Sequence, residues 1–546
     1  MRLFVASLLL LVGCAACGPT TTLPELRTVA ATITADNLLA HIRELSSDAY
    51  EGRLPGTAGE EKSVSYLISQ IRAIGLQPGS PGGGFVQPVP LFGIRSQGTI
   101  VIATDGKDIP LSSGTDFVLW SMLPDSQIEV RNSDLVFVGY GVVAPEYGWD
   151  DYAGVDVTGK TVMMITGDPP VADPRDATQL DGSVFQGKAL TIYGRTGTKL
   201  ETAFFHGAAA VLLVPPGEPT RSTWENFARE NMTLRDGNER KQVNAQALVA
   251  SKKAAALFAA TGGDFDKARA AAGLRGFRAM PLAARVTISV TNQVRSFESS
   301  NVLAKIEGSD PVLKNEFVFY SAHWDHHGRE GERIFHGASD NAAGSAGVLE
   351  LARALRSLKP SPKRTLIFLW PTAEEKGLLG AHYYVTHPLY PLKSTVANIN
   401  LDYFTNWGWG RTRDLGIVGI GNSTLDDLTA EAVARRGRVL TGDTAPDLGF
   451  YFRSDHYEFA RAGVPSLETS PGIDYLSKPA EYGVTLRARY IADDYHNASD
   501  VIKPDWDLRG AVEDLGVLLE VGYRVAQQSE RPEWKPDAVW RPRPLP

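Results

Sequence analysis

Cysteine is nearly absent from this chain of 546 residues, which contains two, Cys14 and Cys17, both close to the N-terminus. The rest of the sequence can therefore form neither a disulfide nor a thiolate zinc site. A metal ion bound there must be held by His nitrogen and carboxylate oxygen atoms, the other common protein ligands of zinc.

Runs of basic residues are missing as well. The chain has 55 Lys and Arg against 63 Asp and Glu, a formal net charge of −8. Because nucleic-acid binding needs a basic surface, this balance argues against nucleic acid as a partner. Beyond the N-terminal region, no apolar stretch is long enough to cross a bilayer. The length and an ordinary hydrophobic content of 43% predict two or more globular domains.

The N-terminus has the pattern of an export signal. Met1-Arg2 supplies positive charge, and Leu3 to Val12 is an apolar run of signal-peptide length. The run ends in Leu11-Val12-Gly13-Cys14, which resembles a bacterial lipobox. We therefore expect residues 1–14 to be a lipoprotein signal peptide and Cys14 to carry a lipid anchor. The protein would then be exported and held on the periplasmic or cell-surface side of a bacterial membrane. An ordinary cleaved signal that contains Cys14 is the alternative.

Changes of pattern along the chain predict its domains. Residues 15–33, rich in Thr and Pro, are typical of a spacer. Residues 34–96 are predicted to begin the main domain with two amphipathic helices. Short β runs over residues 97–283 predict an inserted, β-rich domain. Residues 284–530 return to the main domain, and residues 531–546, rich in Pro, Trp and Arg, predict an extended tail.

Residues 284–530 alternate between strand and helix patterns. The apolar runs Phe317–Ser321, Thr365–Trp370 and Val396–Leu401 predict buried strands, and Ala343–Leu358 predicts a long amphipathic helix. Such alternation predicts an α/β fold: a mixed, mostly parallel sheet flanked by helices. Functional sites in these sheets form at the carboxyl ends of the strands.

Side chains of the types that can bind metal ions follow each of the three strands. They are, in chain order, His323, Asp340 before the long helix, Glu374 and Glu375, Asp402, and His496 near the C-terminus. Catalytic zinc sites use imidazole and carboxylate ligands and keep one position open for water. Two metal ions about 3.5–4 Å apart can share a bridging carboxylate and a bridging water. Two His and three carboxylates are enough for that arrangement.

The short motifs around these residues carry a family resemblance. The motifs are His323-Trp324-Asp325, Ser339-Asp340-Asn341, Glu374-Glu375, Asn400-Leu401-Asp402, Ser454-Asp455-His456 and Tyr495-His496. In order and in neighbouring residues they resemble the M28 family of co-catalytic zinc peptidases, which includes aminopeptidases and glutamate carboxypeptidases. Residues 151–160 and 203–214 are similar to the protease-associated (PA) domain often inserted in that family. The resemblance implies a zinc exopeptidase fold that is interrupted by a PA domain.

The resemblance also implies a role for each site residue. His323 and Asp402 would bind one of two Zn²⁺ ions, Glu375 and His496 the other, and Asp340 would bridge them. Glu374 would be the general acid–base. Asp325 would hydrogen-bond His323 and fix its tautomer. Tyr495 would stabilise the tetrahedral oxyanion.

Other residues near the motifs are weaker candidates for a role in the site. His326 and His327 extend the first motif, but because five ligands already fill a two-metal site, we expect them to shape the loop. Arg453 is a candidate for contact with substrate. Trp407 could line a substrate pocket, and core packing explains it equally well.

The function favoured by these motifs is a zinc aminopeptidase that removes N-terminal residues from peptides through a water activated by two zinc ions. A carboxypeptidase or dipeptidase of the glutamate carboxypeptidase type needs an Arg cluster to hold carboxylates. Near the motifs the sequence offers only Arg411, Arg413 and Arg453 for this. A single-zinc glutaminyl cyclase is disfavoured by the bridging Asp340 together with both His ligands. A non-catalytic binding protein on the same scaffold is disfavoured because all six metal and base positions are present.

Overall fold

The structure is a computed structural model that describes residues 23–105, 108–235, 242–402 and 408–539. The predicted signal peptide with Cys14, and Trp407, lie outside the described residues. Within the described ranges, no helix has both the length and the apolar character needed to span a membrane.

The helices are distributed along the whole chain. In chain order they are α1 Leu23–Ala30, α2 Ala35–Leu45, α3 Ala58–Ile74, α4 Thr196–Phe205, α5 Arg221–Ala228, α6 Ser251–Ala260, α7 Phe265–Ala272, α8 Gly344–Arg356, α9 Leu379–Thr386, α10 Leu425–Ala434, α11 His456–Arg461, α12 Tyr482–Asp493 and α13 Arg509–Gln527.

The strands before the catalytic region are β1 Gln77–Pro78, β2 Val86–Thr104, β3 Asp108–Ile109, β4 Phe117–Trp120, β5 Gln127–Phe137, β6 Val143–Ala144, β7 Trp149–Asp150, β8 Thr161–Ile165, β9 Ala172–Asp173, β10 Asp176–Leu180, β11 Ala210–Val214, β12 Asn231–Leu234, β13 Ala245–Val249 and β14 Met280–Ile306. The later strands are β15 Phe317–Ser321, β16 Gly328–Glu330, β17 Arg333–Phe335, β18 Thr365–Trp370, β19 Thr395–Asn400, β20 Asp414–Ile417, β21 Val439–Gly442 and β22 Ser466–Pro471.

The three strands predicted from apolar runs are β15, β18 and β19, and they are neighbours in one sheet. β15 lies between β18 and β19 and is parallel to both. β22 continues the sheet parallel to β19, whereas β14 pairs antiparallel to β18 on the other side. The sheet is large, mixed and mostly parallel, with helices packed against it, which confirms the predicted fold class.

The core of this part lies between the sheet and a layer of helices. Buried side chains of α2, α3, α8 and α13 pack with those of β15, β18 and β19 in one apolar cluster. Tyr320 on β15 donates a hydrogen bond of 3.0 Å to the Leu518 carbonyl of α13. The helix passes so close here that a Cβ at Gly522 would lie 1.8 Å from the Tyr320 hydroxyl oxygen. Only glycine permits this approach without moving the helix.

Two long strands connect this core to a second one. β2 and β14 pair continuously from Val86 opposite Val302 to Thr104 opposite Ala284. Beyond them, β5, β8, β11 and β13 form a parallel section with its own apolar clusters, which include residues of α4, α6 and α7.

This section is therefore more helical than the predicted β-rich domain. The boundaries predicted at residues 97 and 283 fall within β2 and β14, and the domain limits themselves stay a prediction.

The predicted spacer differs from the structure in its second half. Residues 23–30 form α1, which packs against α8 and α13 with Leu26 3% exposed. Leu26, Val29 and Ala30 recur at helical spacing and give this short segment an apolar face, so it folds onto the main domain. A linker-like composition of Thr and Pro hides this pattern.

One buried cation ties together the loops that follow β15. Arg53 is fully buried in the glycine-rich loop between α2 and α3. Its guanidinium donates hydrogen bonds to four main-chain carbonyls: Trp324 at 2.8 Å, Leu45 at 2.7 Å, His336 at 2.6 Å and Gly337 at 2.9 Å. Burial lowers the pKa of Arg53 to about 10, so it stays charged at neutral pH. It therefore fixes the segment after β15 relative to the turn that enters α8.

Replacing Arg53 tests this role through stability. We expect Arg53→Met to lower the free energy of unfolding by about 3–5 kcal/mol, because four buried carbonyls lose their donor. Urea denaturation followed by circular dichroism measures the change. The matched control is Arg221→Met, since the Arg221 side chain is 90% exposed, and it should change stability by less than about 0.5 kcal/mol. Equal stability of the two variants would show that Arg53 does not hold these loops.

Candidate metal centre

The predicted site residues meet at the carboxyl ends of the parallel strands. His323 lies just beyond β15, Glu374 and Glu375 in the turn after β18, and Asp402 just beyond β19. Asp340 lies in the turn that leads into α8, and His496 follows α12. The structure thus brings all five predicted metal ligands and the predicted base into one region, although they are far apart in sequence.

The first group of ligands is centred on His323. Its Nε2 atom lies 3.0 Å from Asp402 Oδ1 and 3.4 Å from Asp340 Oδ1. The three ligand atoms lie within 4.8 Å of one another, and all three residues are buried. One imidazole and two carboxylates converging in this way can hold a metal ion.

The second group is centred on Glu375. His496 Nε2 lies 3.1 Å from Glu375 Oε2 and 3.2 Å from Asp340 Oδ2. Asp340 therefore directs one oxygen to the first group and the other oxygen to the second.

Two histidines predicted to shape a loop lie in the second group instead. His326 Nδ1 is 2.5 Å from Glu375 Oε1, and His327 Nε2 is 3.3 Å from Glu375 Oε2. The motifs gave them no direct role, because five ligands already filled a two-metal site. The turn after β15 nevertheless brings both rings to the same carboxylate.

The main chain and Asp325 orient the first group. His323 Nδ1 lies 3.1 Å from the main-chain oxygen of Asp325, whereas the Asp325 carboxylate is 3.7 Å away. The main-chain oxygen is thus the nearer of the two, and the predicted bond from His323 to the Asp325 side chain stays a prediction. A proton on Nδ1 leaves the Nε2 lone pair free for a metal ion. The Asp325 carboxylate accepts the Glu374 N–H at 3.1 Å and so positions the predicted base.

A carboxylate that the motifs did not reveal supports Asp402. Glu468, near the start of β22, accepts the Asp402 N–H at 3.1 Å and a hydrogen bond from the Asn400 amide at 2.7 Å. Since β22 is the next strand in the sheet, only the strand order could have identified it. Asp500 does the same for Asp340, because it accepts the N–H groups of Ser339 at 3.1 Å and of Asp340 at 3.0 Å.

Burial and mutual repulsion set the charges in the site. Burial raises the pKa of Glu374 well above its usual range, and nearby Asp402 and Glu375 add to this against the opposing effect of His323. Burial likewise raises the pKa of Asp402. Burial alone would lower the pKa of His496, but the carboxylates of Glu375 and Asp340 outweigh it and raise that pKa to about 9. Negative charge dominates this region, and the positive charge of the imidazoles compensates only part of it.

The donor atoms fit a bound cation. Among the residues that the structure describes, Asp340 Oδ2, His326 Nε2 and both ring nitrogens of His327 are buried without a hydrogen-bond partner. Buried polar atoms are normally paired, and buried charges are paired or coordinate metals. The set of imidazole nitrogens and carboxylate oxygens, with no sulfur, matches the ligand preference of zinc.

A cavity of about 470 Å³ opens onto this centre. The residues that line it include Asp340, Glu374, Glu375, Asp402, Glu468 and His496. Leu190, Arg195 and Phe227, from the segment between β2 and β14, line it as well. Both parts of the chain therefore contribute to the cavity.

Tyr495 and Arg453 lie together at the cavity. The Tyr495 ring stacks on His496 with centroids 3.8 Å apart, and its hydroxyl oxygen accepts a hydrogen bond of 3.3 Å from Arg453. Burial raises the pKa of Tyr495 well above its usual value, so the hydroxyl keeps its proton and can donate it in a hydrogen bond. Both predicted residues thus face the site, whereas Trp407 lies outside the described residues.

Comparison with known proteins places this centre in a family. Residues 301–518 match the family model for Peptidase family M28. Aminopeptidase NAALADL1 of Mus musculus is 36% identical over 127 residues, which are 22% of this chain and 16% of that protein. A vacuolar membrane protease of Vanderwaltozyma polyspora is 36% identical over 118 residues, 22% of this chain and 11% of that protein. The chain thus spans less than a quarter of the length of these curated relatives.

A solved structure supports the same assignment at the level of the fold. The aminopeptidase from Aneurinibacillus sp. strain AM-1 aligns with 95% of this chain and 99% of its own, with a TM-score of 0.53 and 19% identity. The family match covers the segment that contains β15, β18, β19 and all five predicted metal ligands. Residues 301–518 are therefore a metallopeptidase domain of peptidase family M28.

Proposed function

We propose that this metallopeptidase is a two-zinc exopeptidase, and specifically an aminopeptidase. The observation that carries the proposal is the position of Asp340, whose Oδ1 faces His323 Nε2 at 3.4 Å and whose Oδ2 faces His496 Nε2 at 3.2 Å. A carboxylate shared in this way suits a bridging ligand between two ions. His323 and Asp402 would hold one ion, and Glu375 and His496 the other.

Zinc bound there would polarise the scissile carbonyl and lower the pKa of the attacking water. Glu374 lies beside the ligands, with Oε2 3.7 Å from His323 Nε2, and lines the cavity. In this position it would take the proton of that water and deliver it to the leaving amine. Tyr495 would donate a hydrogen bond to the tetrahedral oxyanion, and the adjacent Arg453 guanidinium would strengthen that donor.

The charged groups that line the cavity suit the ends of a peptide. Most of the predicted ligands line it together with Arg195 and Arg453. The free α-amino group of a peptide would be held by the carboxylates that line the metal side, which include Glu468. We expect the inserted section to be of the protease-associated type.

We also propose that the protein is exported and carries a lipid anchor on Cys14. This part of the proposal rests on the N-terminal sequence alone.

A second candidate function has a specific observation in its favour. The sequence offered few Arg residues for a carboxypeptidase or dipeptidase, but Arg195 from the inserted section lines the same cavity as Arg453. Two guanidinium groups can bind the terminal carboxylate of a peptide. The carboxypeptidase alternative therefore gains Arg195, which the motifs did not indicate.

Removing the base tests the mechanism. We expect Glu374→Ala to keep its zinc and to lose turnover by about 10²–10⁴-fold, because general acid–base catalysis contributes that much. Metal analysis of the purified variant and peptidase assays provide the two measurements. Glu201→Ala, at a half-buried helix position outside the site, is the matched control and should keep full activity. Normal turnover of Glu374→Ala would overturn the mechanism.

Substrates with a free or a blocked N-terminus test the direction of cleavage. We expect aminoacyl anilides to be hydrolysed and their N-acetylated forms to react at least about 10-fold more slowly, because a charged contact of about 1.5–3 kcal/mol is lost. Initial rates over a panel of side chains measure the difference.

The same panel should include N-acetylated dipeptides with a free carboxylate. Equal cleavage of free and acetylated anilides would contradict an aminopeptidase. Preferential cleavage of the acetylated dipeptides, with a raised KM in Arg195→Ala, would establish the carboxypeptidase alternative instead.

A further inference from the structure

The turn after β15 contains an unusual group of histidines. His326 and His327 follow Asp325 directly, and they are 0% and 8% exposed. Their rings lie 6.2 Å and 4.4 Å from the ring of His496. Three imidazoles thus surround Glu375, whereas His323 is the sole imidazole in the first group.

The two oxygens of Glu375 have different neighbours. Oε1 lies 2.5 Å from His326 Nδ1. Oε2 faces two imidazole nitrogens, His496 Nε2 at 3.1 Å and His327 Nε2 at 3.3 Å. The three atoms on the Oε2 side lie within 4.8 Å of one another, which suits a common metal ion.

Hydrogen bonding within the described residues does not explain why the ring nitrogens of His327 are buried. Neither of its ring nitrogens has a hydrogen-bond partner there, and the contact to Glu375 Oε2 lacks hydrogen-bond geometry. A buried polar atom without a partner costs about 1–3 kcal/mol. The His327 ring packs edge-on against the Phe335 ring, with centroids 6.2 Å apart. The Arg229 guanidinium lies over the same Phe335 ring, 4.0 Å from its centroid. The imidazole is therefore held in place with its Nε2 directed at the second group.

We propose that His327 is an additional ligand of the ion held by Glu375 and His496. This inference rests on the proposed two-zinc site. It makes the two ion sites unequal: the site at Glu375 has two imidazoles, and the site at His323 has one. Because His326 occupies Glu375 Oε1, Oε2 is left for the ion that His327 and His496 share.

Metal titration tests the proposal without relying on activity. Metal-free protein, prepared with a chelator, is titrated with Zn²⁺ in competition with a chromophoric chelator. We expect wild type to bind two ions. In His327→Ala, one ion should bind at least about 10-fold more weakly, while the other keeps its wild-type affinity. The retained site also shows that the variant is folded.

Cobalt substitution adds a direct view of the ligands. We expect the visible absorption of the Co²⁺-loaded protein to change in His327→Ala, because an imidazole ligand is lost. The matched control is His336→Ala, a histidine of the same loop region whose Nε2 lies 2.8 Å from Asp48 outside the centre. It should leave both affinities and the spectrum unchanged.

The outcomes separate this inference from the proposed function. Wild type that binds fewer than two ions would contradict the two-zinc site itself. Wild type with two ions, and His327→Ala with the same two affinities and the same Co²⁺ spectrum, would overturn the inference and leave the proposed function standing. Loss of an ion in His326→Ala but not in His327→Ala would also overturn it, since the additional ligand would then be the other histidine.

Discussion

Repulsion among buried carboxylates is the constraint that organises this site. Asp340, Glu374 and Asp402 are buried, and the side chain of Glu375 beside them is 2% exposed. Two carboxylates about 4 Å apart repel by about 4 kcal/mol at an effective dielectric constant of about 20. Such a group is stable only if nearby positive charge compensates it and if the backbone cannot relax away. The imidazoles of His323 and His496 provide part of the compensation, and bound cations would provide the rest.

The backbone next to the predicted ligands is held by side chains that are not themselves predicted ligands. Arg53 binds the carbonyls of Trp324 and Gly337 and so joins the two segments that carry the first histidine and Asp340. Asp500 binds the N–H groups on the Asp340 turn, and Glu468 binds that of Asp402. Each of these contacts acts on the main chain next to a ligand, which fixes the ligand more firmly than a side-chain contact alone would. Ligand geometry therefore depends on segments far from the metal-binding motifs.

The sequence predicted what depends on local pattern and strand order. Buried strands and the residues that follow them identified His323, Glu375 and Asp402, because carboxyl ends of parallel strands meet at one edge. It did not reveal the contacts of Arg53 or the position of Arg195 at the cavity, since both depend on segments that are distant in sequence. The position of His327 beside Glu375 was missed for another reason: five predicted ligands were enough without it, and only the fold of the turn directs its ring towards Glu375. The helix α1 was hidden by a linker-like composition around three apolar residues.

Groups of both charges line the cavity, and this separates two questions about the substrate. Carboxylates beside the ligands favour a positive group, whereas Arg195 and Arg453 on the same cavity favour a negative one. A short peptide carries both charges at its two ends. In the proposed mechanism, the direction of cleavage depends on which end of the peptide lies next to Glu374, because that residue would have to reach both the attacking water and the leaving amine.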